Sequence, residues 1–204
     1  MRRPVRLAFC LALSALPAAA GEVGLFADKL VGKAQVDAAG NRYDAVSPTG
    51  FGVRVGYTLI NLKVAEIGVT ASYRPESEAD LVVKSPLGVA TRGRMGVSYG
   101  AVGAQVDWKF LVSIHAGLEM RHERLAWTGL ASGNGSSTVD RPWARVGFGF
   151  SLPLPVLSPI IRLEFSAPLR KQDGNLFSSG DTRRGRHVPG HHAGVEIALG
   201  NTRG

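Results

Sequence analysis

Cysteine is almost missing from this chain: Cys10 is the only one among 204 residues. Aromatic residues make up only 7%. Helix-favouring runs of Glu, Lys, Leu and Ala are scarce after the first twenty positions. No stretch beyond residue 20 is long and apolar enough for a spanning helix, which needs about 20 apolar residues. Those gaps exclude a helical membrane bundle. If the first twenty residues are removed, they also exclude disulfides, thiol catalysis and thiolate metal sites. They do not exclude a membrane, because barrel strands span it with about 9–11 residues each and escape hydropathy windows. What the chain has instead is glycine, 26 residues of it, and a hydrophobic fraction of 45% spread along the whole length.

The amino end reads as an export signal. Arg2, Arg3 and Arg6 make a positive start, Leu7 to Leu16 an apolar stretch, and Pro17-Ala18-Ala19-Ala20 a small-residue cleavage site. The expected division is therefore a cleaved segment, 1–20, and a barrel domain, 21–204. Cys10 lies inside the apolar stretch after Phe9, not at the position of a lipoprotein cysteine. Removing the three arginines takes the 24 basic residues to 21 against 16 acidic ones, a net of +5. That moderate excess, without an aromatic-plus-basic motif, does not point to nucleic acid.

Alternation at period two carries the fold. In Phe110–Arg124 the even positions Phe110, Val112, Ile114, Ala116, Leu118 and Met120 are apolar. The odd ones include Ser113, His115, Glu119, Arg121 and Glu123. Soluble strands usually run five or six residues; this alternation is about twice as long. Five more segments alternate as cleanly: 51–59, 65–74, 144–152, 161–167 and 192–199. Between Arg94 and Trp108 the apolar parity changes, which predicts a β-bulge near Gly100. Over 22–33 the pattern is weak, and a strand is expected there because closure requires a partner for the last one.

The eight strands make connections that alternate in length. Short turns fall at 60–62, 108–110 and 153–158, and long polar loops at 33–49, 75–93, 125–138 and 170–187. All the long loops then lie at one end and both termini at the other, the plan of an outer-membrane barrel. The fold class expected is all-β, an up-and-down antiparallel eight-stranded transmembrane β-barrel. In this pattern the chain resembles the small eight-stranded outer-membrane barrels of Gram-negative bacteria, the group of the OmpA membrane domain and the opacity-type proteins. The resemblance implies an outer-membrane address, a monomer and insertion by the barrel-assembly machinery, with outer-membrane lipid and lipopolysaccharide as surroundings.

With greasy faces toward lipid, the polar faces line the interior: Arg54, Glu66, Arg74, His115, Glu119, Arg121, Glu123, Arg145, Arg162, Glu164, His192 and Glu196. Both signs are present, so a network of ion pairs is expected in a lumen its own side chains fill. Loop arginines and lysine Arg170, Lys171, Arg183, Arg184 and Arg186 are candidate contacts for lipopolysaccharide phosphates. No catalytic, cofactor or metal residues are expected. A lipid A-modifying enzyme would have to use His122 with Glu123, or His191 and His192 with Glu196, and His187, His191 and His192 do not share one face as metal ligands would. The expected role is a non-enzymatic structural or surface-interaction barrel. The competing architecture is a soluble lipocalin-like barrel turned inside out, with an apolar ligand among Val112, Ile114, Leu163 and Phe165.

Overall fold

A period of two sends alternate side chains to opposite faces of a strand, and a sheet of such strands buries one face completely when it closes on itself. In a computed structural model, described over residues 21–31, 35–36, 40–45, 48–110, 112–130, 133–151, 158–169 and 191–200, it does close. The strands are β1 (Gly21–Val31), the short β2 (Gln35–Val36) and β3 (Arg42–Ala45), then β4 (Thr49–Asn61) and β5 (Ala65–Lys84). They continue as β6 (Ala90–Trp108), β7 (Ser113–Thr128), β8 (Gly135–Ser151), β9 (Ser158–Pro168) and β10 (His191–Gly200). Eight of them form an antiparallel ring, β1-β4-β5-β6-β7-β8-β9-β10, closed by β10 on β1. β2 and β3 form a hairpin that adds to the outer stretch of β5, with Arg42 opposite Lys84 and Ala45 opposite Leu81.

β1 pairs along both edges, with β10 and with β4. Its alternation is weak because apolar residues occupy both faces: Leu25 points out, while Phe26 is buried inside beside Asp28.

The longest strands change character halfway. Along the outer face of β6, Trp108 and Val102 are exposed and apolar, and farther from the short turns Arg94 and Arg92 are exposed and charged. Along its inner face Gln105 gives way to Ala101, Tyr99, Val97 and Met95, all buried. A surface in lipid must be apolar outside, and polar groups are then driven inward. A surface in water requires the reverse. Each strand therefore leaves the membrane near Tyr73, Gly100 and Met120, and continues as an ordinary water-exposed sheet around an apolar interior.

This inversion corrects three sequence expectations. No bulge occurs at Gly100: the β6–β7 register runs unbroken from Arg94 opposite Thr128 to Trp108 opposite Ile114. The change in parity reflects a change of solvent. The register shift lies instead on β5, between Arg74 and Ser77, where Pro75 has no N–H to give to a ladder. Second, residues 75–93 are not a loop but mostly strand, with a turn of only 85–89. Likewise β7 runs to Thr128 and β8 starts at Gly135, inside the expected loop 125–138, and β3 occupies part of 33–49. Third, β7 starts at Ser113 and not at Phe110. The turn at 152–157 and the loop 170–190 lie outside the described residues.

Tyr43, Leu81, Met95, Val97, Trp127 and Leu130 form a buried cluster at the outer end, with Leu30, Val83 and Leu125 packed against it. Burial of each large side chain stabilises the end by on the order of 1.5–3 kcal/mol, so the lumen is capped by a small hydrophobic core.

Candidate functional site: the charged lumen and its outer rim

Below that cap the interior is a lattice of ion pairs. Glu164 on β9 is its hub. It accepts from Arg54 at 2.7 and 3.0 Å and from Arg145 at 3.0 Å, and it lies 3.3 Å from His115 Nε2. Arg54 also reaches Glu196 at 2.6 Å. Arg145 donates to Thr70 and Gln105, each at 3.1 Å, and meets Glu119 at 2.9 Å. Arg121 pairs with the other oxygen of Glu119 and donates to Ser166 at 3.0 Å. Toward the short turns, Arg162 donates to Glu22 at 2.8 Å and faces Asp107 at 3.6 Å.

Nearer the cap, Asp28 gathers three partners. Arg74 Nε lies 2.6 Å from one oxygen. His192 Nδ1 and the Tyr99 hydroxyl approach the other at 2.8 and 3.1 Å. The guanidinium of Arg121 lies between the Tyr99 and Trp143 rings, and Arg141 covers Trp143 at 4.9 Å. His192 stands edge-on to both rings. Cations over aromatic faces in a desolvated site gain as much as about 2 kcal/mol each. Charge and ring stacking together thus seal the passage where the polar lumen meets the apolar cap.

Six buried arginines (54, 74, 121, 141, 145 and 162) face seven carboxylates (Glu22, Asp28, Asp107, Glu119, Glu123, Glu164 and Glu196). The two signs are nearly balanced, and each ion finds the pairing that burial demands. Among the described residues the lumen is also tightly packed. A void of about 10 Å³ remains among Phe26, Asp28, Arg54, Tyr99, Arg121 and their neighbours, at the lower limit for one water molecule. Glycines make that packing possible: a Cβ at Gly147 would stand 2.3 Å from His115 Cε1, and one at Gly50 2.4 Å from the Arg74 guanidinium.

Of the interior residues expected from sequence, eleven turn inward as described, Glu123 through its pair with Arg141 at 2.6 Å. Glu66 is different. It pairs with exposed Lys109 at the short-turn rim and takes no part in the network. Sequence reading missed Glu22, Asp28, Tyr99, Asp107, Arg141 and Trp143. Asp28 shares parity with Glu22, and Trp143 with Arg145, so extending each parity farther would have found them. Arg170, Lys171, Arg183, Arg184, Arg186 and His187 lie outside the described residues.

His122 does not pair with Glu123, since neighbours in a strand point to opposite faces. On the outer surface it meets Asp140 directly across the β7–β8 ladder, Nδ1 to Oδ1 at 2.7 Å. Among the described residues no group of three His, Cys, Asp or Glu is arranged to hold a metal. Leu163 and Phe165 face outward and Arg162 and Glu164 inward, the opposite of the lipocalin-like arrangement.

No protein-family model and no curated protein sequence matches the chain. Among solved structures, OprG of Pseudomonas aeruginosa matches 89% of this chain and 96% of its own, with 10% identity and a TM-score of 0.57. Ail of Yersinia pestis matches 89% of this chain and 98% of its own, at 15% identity and a TM-score of 0.47. Neisserial surface protein A matches 88% and 96%, at 12% identity and a TM-score of 0.46. At such identities the shared property is the fold. With its closed ring of eight strands, its apolar outer belt and its charged interior, the chain has the fold of the small eight-stranded outer-membrane β-barrels.

Proposed function

We propose that the chain is a non-enzymatic barrel of the outer membrane whose role is structural or surface-interactive, carried out by the end of the molecule that bears the long connections. One observation supports this best: the lumen is packed shut, so the groups free to meet anything outside the membrane belong to the strand extensions and loops. Residues 1–20 act in this reading as the export signal, and the barrel-assembly machinery inserts 21–204 as a monomer. The connections around 33–49, 75–93, 125–138 and 170–187 then face the cell exterior. Arg170, Lys171, Arg183, Arg184 and Arg186 are offered as contacts for lipopolysaccharide phosphates, which suit the bidentate guanidinium.

The mature chain would contain no cysteine, which makes a clean test. Ser85→Cys is introduced at the β5–β6 turn and intact cells are treated with a membrane-impermeant maleimide, with the unaltered chain as control. Labelling of intact cells, together with a mobility difference between unheated and boiled samples, supports the reading. Labelling only after lysis reverses the orientation, and recovery in the detergent-free soluble fraction removes the membrane assignment. For the loop arginines, neutralising Arg183, Arg184 and Arg186 together should weaken lipopolysaccharide binding, and unchanged binding would discard that contact.

A further inference from the structure

Exposed large apolar side chains are expected on this molecule in one place, the belt that meets lipid and its two rims. Phe51, Val102, Leu118, Phe148 and Phe165 are of that kind. Leu87 and Val89 are not. They sit at the apex of the β5–β6 hairpin, 91% and 65% exposed. From the belt's upper edge at Arg74 opposite Tyr99, the ladder continues to Lys84 opposite Ala90. At about 3.3 Å per residue this is roughly 30 Å of strand beyond the membrane. A chain selected only for solubility places polar residues at such an apex.

The apex is also held rigid. Ser85 N–H donates to the Val89 carbonyl at 2.9 Å, Gly88 N–H to the Ser85 carbonyl at 2.9 Å, and Val89 N–H to the Ser85 hydroxyl at 3.2 Å. Gly88 takes a φ of +81°, which favours glycine, and Pro86 fixes its own φ. The β3 strand braces the hairpin stem from the side. So the apolar tip is presented in one conformation, and its ordering cost is met before any contact is made.

Around the tip the charge is positive. Exposed Lys84, Arg42 and Arg92 surround it, with Asp44 as the carboxylate among them, 2.9 Å from Arg42 and 3.5 Å from Lys84. Within this collar three cations stand against one anion, a local +2, and the next outward carboxylate down the stem, Asp80, stands opposite Arg94. An apolar point inside a cationic collar matches a lipid surface carrying anionic headgroups: the side chains enter the acyl boundary while lysine and arginine stay at the phosphates.

We infer that the β5–β6 hairpin is a membrane-touching finger, which inserts Leu87 and Val89 into an apposed anionic lipid surface with Lys84, Arg42 and Arg92 against the headgroups. This rests on the outer-membrane reading above and gives the surface-interaction role a partner of defined chemistry. One tip binds weakly and reversibly, like a single lipid chain, so many copies acting together are required for adhesion.

The test reconstitutes the full mature barrel into phosphatidylcholine vesicles and mixes them with fluorescent acceptor vesicles. Acceptors of phosphatidylcholine containing phosphatidylserine should be tethered, and acceptors of phosphatidylcholine alone should not. Replacing Leu87 and Val89 by serine should cut tethering by at least 10- to 100-fold, roughly the loss that one large apolar side chain alone would give. Changing Lys84 and Arg92 to glutamine should cost about 5-fold each and flatten the salt dependence. Leu87→Trp reports contact independently, by a blue shift of its emission when anionic vesicles are added. No tethering by the unaltered barrel, equal tethering after the serine changes, or an unmoved tryptophan emission would each overturn the inference. The heat-dependent gel shift of the same vesicles is read first; its absence would instead be a failure of the barrel assignment.

Discussion

The guanidinium carbon of Arg121 lies 4.2 Å from the centroid of the Trp143 ring. Tyr99 covers the other side of Arg121 at 4.4 Å, and Arg141 lies over Trp143 at 4.9 Å. Rings and guanidinium groups thus join in one stack across the lumen, at the level where its lining turns from charged to apolar. Trp143 and Arg121 are among the largest fully buried side chains of the protein. The stack explains how arginine can sit beside a hydrophobic core: its faces meet aromatic rings while its edge keeps Glu119 and Ser166.

Trp143→Ala is therefore expected to lower unfolding stability in lipid vesicles by about 3–5 kcal/mol, the usual cost of emptying a buried tryptophan site. Urea titration followed by gel mobility measures it. A loss under about 1 kcal/mol would show that the ring does not support Arg121.

Glu164 serves Arg54, Arg145 and His115 at once. Glu164→Gln should destabilise by about 3 kcal/mol or more, because two buried arginines lose their common counter-ion. A double-mutant cycle with Arg54→Met should give a coupling energy in the range of about 0.5–3 kcal/mol. Additive single and double effects would mean the pair acts independently.

Two glycines should respond in opposite ways. At Gly147 a Cβ meets His115 Cε1 and the Leu163 carbonyl oxygen, each at 2.3 Å, while at Gly100 it meets nothing within 4 Å. Gly147→Val should prevent heat-resistant folding. Gly100→Ala should stay within about 0.5 kcal/mol of the parent. Similar folding yields for the two variants would contradict the close approach of β8 to His115.

Outside the membrane, the hydrogen bond from Arg42, aided by the Arg42 and Lys84 charges, holds the exposed Asp44 carboxyl below its ordinary range. A depressed folded value means that this contribution is present above the ordinary aspartate range and is lost as pH falls through the lowered one. The β3–β5 contact should loosen in acid, seen as loss of magnetic-resonance cross-peaks between Tyr43 and Val83. Asp44→Asn should remove that pH dependence. An acid transition that survives the substitution would assign it to another group.

The belt strands were legible because lipid imposes a rule on every second residue: from Ile114 to Met120, or from Ile161 to Phe165, the outward positions are apolar without exception. The same parity named most of the inward charges. It failed where the solvent changes. Met95, Val97 and Tyr99 are inward like Gln105, yet a reader who assumes lipid outside takes their apolarity for a shift in phase and their charged neighbours for a loop. Parity cannot report the height at which a strand leaves the bilayer.

Sequence alone determined the eight strands of the ring and the sign and parity of the charged residues inside the belt, since these depend on local alternation. Which charge meets which was decided by closure. Arg54 and Glu164 stand 110 positions apart, and Asp28 reaches His192 across 164, contacts fixed only when β10 pairs with β1. The stagger of the ring and the glycine gaps set those distances. Alternation tells a residue which face to take, and only the closed barrel brings its partner to that face.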